Sequence, residues 1–391
     1  MKYFLFLVTV VSLLALSITI VDINSQKSTH AKDANSNLVN PTIRKIATDI
    51  YQNCQEKESV CAENAITQNL LAKYPVPEIL SSIYDYDTYF SCHAFTHFLG
   101  RALYQKLQSI PDVYSQIDFT CHGGTYHGTI ESYLDQQKSS PQSLTGGEIK
   151  TICSDSKKLT NKNPGQVYTE CLHGFGHAFM FITNSDLPQS LNYCDKMETI
   201  EDREKCYGGA FMENSTSSTN SDHKSAWTKP DDKFFPCTVL QEHYLNQCYF
   251  YQANYLIMIS RRNYPSVFAD CQMLNKQHRI HCILGIGASL ASVSNEQGIE
   301  KAAKICSLGK DDTQVLCVGS AVSSLFARYG GETEKIMQFC SLAAENLKSP
   351  CFAKIGEYSR TWGKSNDELE KICSGAKVYK ETCLESRTSP T

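Results

Sequence analysis

Three short stretches of the chain gather residue types that bind metals or carry protons. They read Cys92-His-Ala-Phe-Thr-His97, Cys121-His-Gly-Gly-Thr-Tyr-His127-Gly-Thr-Ile-Glu131 and Cys171-Leu-His-Gly-Phe-Gly-His177, and six of the eleven histidines lie within them. Residues four apart share one face of a helix. His93 with His97, His127 with Glu131, and His173 with His177 therefore form three two-ligand pairs on three helices. His122 stands five before His127 and diverges from it by about 140° on a helix, so it falls outside the set. Imidazoles mixed with carboxylate suit zinc, copper or iron better than calcium or magnesium. Six candidate metal ligands exceed the three or four that one zinc takes, which leaves room for a second ion, for orienting partners, or for a catalytic acid or base. Glu131, Tyr126 and Glu213 are the candidates for that supporting or catalytic role. Met212 follows Cys206 at the offset His127 and His177 keep from their cysteines, a weak pointer to copper.

A lone His-x-x-x-His is common in helices with no metal. The later part of the chain supplies an internal control. The same cysteine-led segment returns as Cys282-Ile-Leu-Gly and Cys317-Val-Gly-Ser, so the unit folds without its histidines. Packing alone does not account for three pairs confined to three successive copies. The glycines beside the histidines, Gly123-Gly124 and Gly174-Phe-Gly176, could admit an anion at a helix start, but close helix packing explains them more simply.

The elements that must position these residues follow from the cysteines. Cys171, Cys206, Cys248, Cys282, Cys317, Cys351 and Cys383 recur at steps of 35, 42, 34, 35, 34 and 32 residues, and each has a partner upstream: Cys153, Cys194, Cys237, Cys271, Cys306, Cys340 and Cys373. A period near 34–35 is that of a helical hairpin stacked into a solenoid. The expected disulfides are Cys153–Cys171, Cys194–Cys206, Cys237–Cys248, Cys271–Cys282, Cys306–Cys317, Cys340–Cys351 and Cys373–Cys383, each joining the end of one helix to the start of the next. Cys54–Cys61 would staple an N-terminal hairpin. Cys92 and Cys121 each open a histidine-bearing helix and are expected to bridge one another; the alternative is a pair of thiols beside imidazoles, able to bind metal. Capping-box spacing at Ser294–Gln297 and Ser365–Glu368 predicts helix starts, Gly309 marks a helix end, and Ser349-Pro350 predicts the opening of the helix holding Cys351. Gly285, Gly287, Gly319 and their small neighbours suggest closely approaching helices.

The fold class expected is all-α, an α-solenoid of disulfide-stapled hairpins of about 34–35 residues. Over roughly residues 140–386 the period and paired cysteines resemble tetratricopeptide-like helical repeats, above all their cysteine-stapled bacterial versions. That resemblance implies architecture and no activity.

The chain divides into an apolar stretch at 1–23, a polar linker at 24–42 that includes His30, histidine-bearing repeats at 43–140, cysteine-paired repeats at 141–386, and a tail at 387–391. A polar insertion at 213–236 interrupts the period; it carries Trp227 and the sequon Asn214-Ser-Thr and reads as a surface insertion or a lid. Lys2 precedes a run of nineteen apolar or near-apolar residues ending at Asp22, long enough for a signal-anchor or, if cleaved, a signal peptide. Eighteen cysteines fit an exported chain in an oxidising compartment, anchored to the cell membrane or secreted. A net charge of −4 disfavours nucleic acid as a partner. Three function classes remain. The first is a metalloprotein, hydrolase or oxidoreductase, with zinc, copper or iron on the first three repeats. The second is a scaffold whose concave face grips an envelope protein or peptide, to which the twenty-one tyrosines would lend a recognition surface. The third is metal-independent catalysis, with one histidine as general base oriented by Glu131.

Overall fold

The computed structural model describes residues 39–54, 59–83, 91–136, 144–155, 159, 163–217, 225–310, 312–329 and 331–386. The expectations for residues 1–23, for nearly all of the linker, and for the tail lie outside these. No helix among the described residues is long and apolar enough to cross a membrane. The chain divides into Met1–Asn40 and Pro41–Thr391, and the second unit holds everything that follows.

That unit is all-helical, with nineteen α-helices and no strand among the described residues. An N-terminal group comprises α1 (Pro41–Cys54), α2 (Ser59–Ile66, continued by a π-turn to Leu71) and α3 (Val76–Ile83). The histidine-bearing region follows with α4 (Cys92–Leu107), α5 (Ile110–Gln116), α6 (Gly124–Gln136), α7 (Gly146–Asp155), α8 (Pro164–Ile182), α9 (Leu187–Cys194) and α10 (Ile200–Ser217). Beyond it come α11 (Leu245–Ile259), α12 (Tyr264–Gln272), α13 (Lys276–Gln297), α14 (Ile299–Ile305), α15 (Asp312–Arg328), α16 (Glu334–Leu342), α17 (Glu345–Thr361), α18 (Asn366–Ser374) and α19 (Lys380–Glu385).

The long helices α4, α6, α8, α10, α11, α13, α15 and α17 stack side by side in chain order, with the six-residue α19 closing the row, and the short helices between them pack behind. All nine expected cysteine pairs are joined, Cys92–Cys121 included, which removes the thiolate alternative at that pair. By the loop-entropy argument the staples closing loops of 7 to 12 residues are worth about 2–3 kcal/mol each, and the two longer ones somewhat more than ~3. The array curves until His122, between α5 and α6, meets Ser292 of α13 and Arg328 of α15.

Glycine sets how close the long helices come. A Cβ on Gly100 or Gly128 would land on backbone of the facing helix at the α4–α6 seam, and one on Gly176 or Gly209 would do the same at the α8–α10 seam. Gly285 meets the Phe250 carbonyl and Gly287 the Cys317 carbonyl in the same way, while Gly319 faces only the flexible Lys354 side chain. At the seams where the glycine meets backbone, no side chain is interposed between the two helices.

Several local expectations are corrected. From α8 onward the long helices start before their cysteines: α13 opens at Lys276 and α17 at Glu345, so Cys282 and Cys351 lie inside, and Pro350 is internal rather than an opening residue. The Ser294–Gln297 segment closes α13 instead of starting a helix; the break is at Gly298, at φ 90°, a conformation glycine adopts without strain. The capping box at Ser365 and Glu368 is present. Gly309 ends a short 3-10 turn but is extended, not left-handed. The polar insertion begins later than expected, because α10 runs on to Ser217. Asn214 is 1% exposed, donates to the Trp227 carbonyl at 3.1 Å and accepts from Ser225, so its sequon is not an available glycosylation site. Trp227 stacks on Phe235.

Candidate metal centre

α4, α6 and α8 bring five imidazoles together. Ring centroids of His97, His127 and His177 are 5.3, 5.2 and 4.4 Å apart pairwise, His93 lies 4.7 Å from His97, and His173 lies 5.0 Å from His177. The one-helix-face expectation holds for both His-x-x-x-His pairs. His93 Nε2 and His97 Nε2 are 3.1 Å apart, and His173 Nε2 and His177 Nε2 are 3.2 Å apart.

The opposite ring nitrogens are anchored on oxygens. His93 Nδ1 meets the Cys121 carbonyl at 2.8 Å, and His97 Nδ1 meets Glu131 Oε1 at 2.7 Å. His177 Nδ1 meets Glu213 Oε2 at 2.8 Å, and His173 hydrogen-bonds the Lys205 carbonyl. A carbonyl can only accept, so His93 and His173 carry their proton at Nδ1 and turn a lone pair inward at Nε2. Burial would raise Glu131, but the His97 and Arg101 charges outweigh it and hold the carboxyl well below its usual range. The balance at Glu213 is the same in direction, with His177 as its partner. Both remain ionised acceptors for Nδ1–H. In each pair two nitrogens then face one another across about 3 Å, and a proton or a metal ion between them is needed to avoid lone-pair repulsion. Two nitrogens 3.1–3.2 Å apart, each about 2.1 Å from one ion, subtend about 95–100°, which lies between octahedral and tetrahedral values.

Burial, and after it the charges of the neighbouring imidazoles, pushes His93, His127 and His173 well below the ordinary histidine pKa. They are neutral, the form that ligates. His127 is fully buried and stacked on His177 at an 11° interplanar angle. Its Nε2 is 3.1 Å from Glu170 Oε2, and its Nδ1 has no hydrogen-bond partner. A buried polar atom left in that state needs an explanation.

The structure redistributes the roles read from sequence. Glu131 does not pair with His127, one turn earlier on α6; it crosses to His97 on α4, and its second oxygen takes the Arg101 guanidinium. His97, Glu131 and His177 nonetheless place ligand atoms within 4.8 Å of one another, as do His93, His127 and His177. Tyr126 is not at the centre: its ring is buried against Phe119 and Tyr114, and its hydroxyl is buried without a partner. His122 is excluded, for a reason other than helical angle. Cys121, His122 and Gly123 have φ of 57°, 59° and 73°, so α6 begins only at Gly124. His122 Nε2 instead accepts from Arg328 at 2.9 Å, and burial together with that guanidinium lowers its pKa to about 3. Glycine suits position 123 because its φ is left-handed, and a Cβ there would push on the Glu170 carboxylate, 2.7 Å away.

Sequence reasoning missed Glu170 and Arg101. Glu170 has a side chain 20% exposed, and burial raises its pKa to about 8. It stands three before His173 and seven before His177, so helical spacing does place it on their face. Arg101 extends the stripe His93, His97, Arg101 by one turn. Its Nε donates to Glu63 Oε1 of α2 at 2.7 Å, and Gln105 Nε2 donates to Glu63 Oε2 at 2.6 Å. Glu63 could not be found by spacing, since it lies 38 residues from Arg101. This network carries the orientation of His97 back to the N-terminal helices.

No family model matches the chain, and neither the curated proteins nor the solved structures contain a match to it.

Proposed function

We propose that this protein is an exported metalloprotein that holds a transition metal among His93, His97, His127, His173 and His177, with Glu131 and Glu213 orienting two of the imidazoles. The observation that carries this reading is the inward convergence of Nε2 atoms whose Nδ1 partners are fixed on oxygens. Buried second contacts of that kind set the tautomer and raise the ligand strength of metal-binding imidazoles. The nine disulfides suit an oxidising compartment, and the apolar stretch before Asp22 would direct the chain there and could anchor it to the membrane.

The imidazole-rich set suits zinc, copper or iron. Zinc would make the centre a Lewis acid for hydrolysis, and copper or iron would make it an oxidoreductase. Glu170, which is partly exposed beside His127, is the group placed to exchange a proton with a substrate. A docking scaffold for an envelope protein or peptide draws less support, because ten of the twenty-one tyrosines are buried and unavailable to a partner.

The test is elemental analysis of protein purified from an oxidising compartment. Transition metal in at least stoichiometric amount is expected, falling by half or more in the His127→Ala, His177→Ala double variant. Equal metal content in the two proteins would overturn the reading.

A further inference from the structure

We infer that the centre is duplicated and takes two metal ions, one at the His93/His97 pair and one at the His173/His177 pair. This inference rests on the metal-binding reading above and deepens it.

The evidence is a repeat of the whole chelate rather than of one residue. In each copy a long helix supplies His-x-x-x-His with Nε2 atoms 3.1 or 3.2 Å apart. In each copy the first histidine is held by a backbone carbonyl at the start of the next histidine-side repeat, Cys121 in one and Lys205, beside Cys206, in the other. The second histidine is held by a glutamate on the next long helix, 34 residues on for His97 and 36 for His177. Glycines three residues after Cys121 and Cys206 let those helices meet: a Cβ on Gly124 would lie 2.7 Å from the His93 carbonyl, and one on Gly209 closer still to the His173 carbonyl. α4 with α6, and α8 with α10, are therefore two versions of one two-imidazole clamp, set two repeats apart.

Geometry and charge both favour two ions over one. An ion with bonds of about 2.1 Å spans at most about 4.2 Å between two donors. Each pair, with donors 3.1 or 3.2 Å apart, fits well within that span, whereas the ligand atoms of His93, His127 and His177 are bounded only by 4.8 Å. His93, His97 and His177 are pinned at Nδ1 and His173 is held by the Lys205 carbonyl, so the pairs do not swing freely onto one shared ion. The two clamps adjoin, with the rings of His97 and His177 centred 5.2 Å apart. His127 lies between them, 5.5 Å from His93 and 5.1 Å from His173, with Glu170 on its Nε2. The Arg101 guanidinium pairs with Glu63 and Glu131, while the third carboxylate, Glu213, pairs with His177. Two negative charges are left over beside the imidazoles, and buried charge calls for compensation.

The test is a titration of chelator-stripped full-length protein with Co2+ alone, followed by visible absorption and by the metal retained after desalting. Two equivalents are expected to bind in the wild type. One is expected in the His93→Gln, His97→Gln variant and one in the His173→Gln, His177→Gln variant, each checked for fold by its helical circular dichroism. A wild type that saturates at one equivalent overturns the duplication and leaves the metal-binding reading standing; a wild type that takes none overturns both. Folded half-variants that bind no ion would also overturn it, because the clamps would then not be independent. The wild-type count decides the matter even if a variant fails to fold.

Discussion

Glu131→Gln is the most informative single change, because it removes a charge while keeping shape. Glu131 accepts from His97 Nδ1 at 2.7 Å and from the Arg101 guanidinium. A guanidinium needs an acceptor, so the glutamine carbonyl would stay with Arg101 and turn its NH2 toward His97. A donor at that place forces the lone pair onto His97 Nδ1 and the proton onto Nε2, the atom that would bind metal. Loss of such an orienting partner costs about 10–100-fold in metal affinity, or about 1.4–2.7 kcal/mol. The variant also leaves Arg101 with one carboxylate instead of two, which destabilises the fold, by up to about 3–5 kcal/mol if the pair behaves as a broken buried ion pair. Competition between the protein and a chromophoric chelator for Co2+ or Zn2+ measures the first effect, and thermal unfolding with chelator present measures the second. The matching change Glu213→Gln should sit at the lower end, since that side chain is 31% exposed and water can replace part of its hydrogen bonding. Affinity within twofold of wild type in a folded Glu131→Gln protein would refute the tautomer reasoning.

Other outcomes follow from the same geometry. Tyr126→Phe deletes a buried, unpartnered hydroxyl, so stability in thermal unfolding should be unchanged or raised, with metal content unaltered. Gly209→Ala places a methyl on the His173 carbonyl; it should destabilise by about 1–3 kcal/mol through overpacking and lower metal retention, whereas Gly319→Ala should leave both intact. Replacing Cys340 and Cys351 together by alanine should cost about 2–3 kcal/mol in denaturant unfolding without changing metal stoichiometry, because that staple lies far along the array. Metal-free protein should lose stability on acidification. His93, His127 and His173 titrate lower in the folded than in the unfolded chain, so below about pH 6.5 the unfolded state binds the extra protons. Each such histidine contributes a slope of at most about 1.4 kcal/mol per pH unit. Below the ordinary glutamate range the lowered carboxyls of Glu131 and Glu213 add to the loss. A melting temperature that stays flat from pH 7 to pH 5 would contradict the assigned burial.

Sequence by itself determined the all-helical class, the cysteine pairs and the two His-x-x-x-His faces. These are local quantities: a period of 34 or 35, a separation of ten or eleven between paired cysteines in most repeats, and a spacing of four within one helix. The ends of helices were less legible. Pro350 and the Ser294 segment carry start signals that packing overrides, since a helix can absorb one unmade hydrogen bond when its faces are buried. Tertiary structure alone decided which carboxylate serves which imidazole. Glu131 lies one turn from His127 in its helix yet bonds His97 across the seam, because glycines at that seam let the two backbones touch. It also decided that His122 leaves the centre, through three successive left-handed residues that delay α6, and that Glu63 and Arg101 brace the site from the first repeats. Such contacts span 28 to 206 residues, and no spacing rule within one element can encode them.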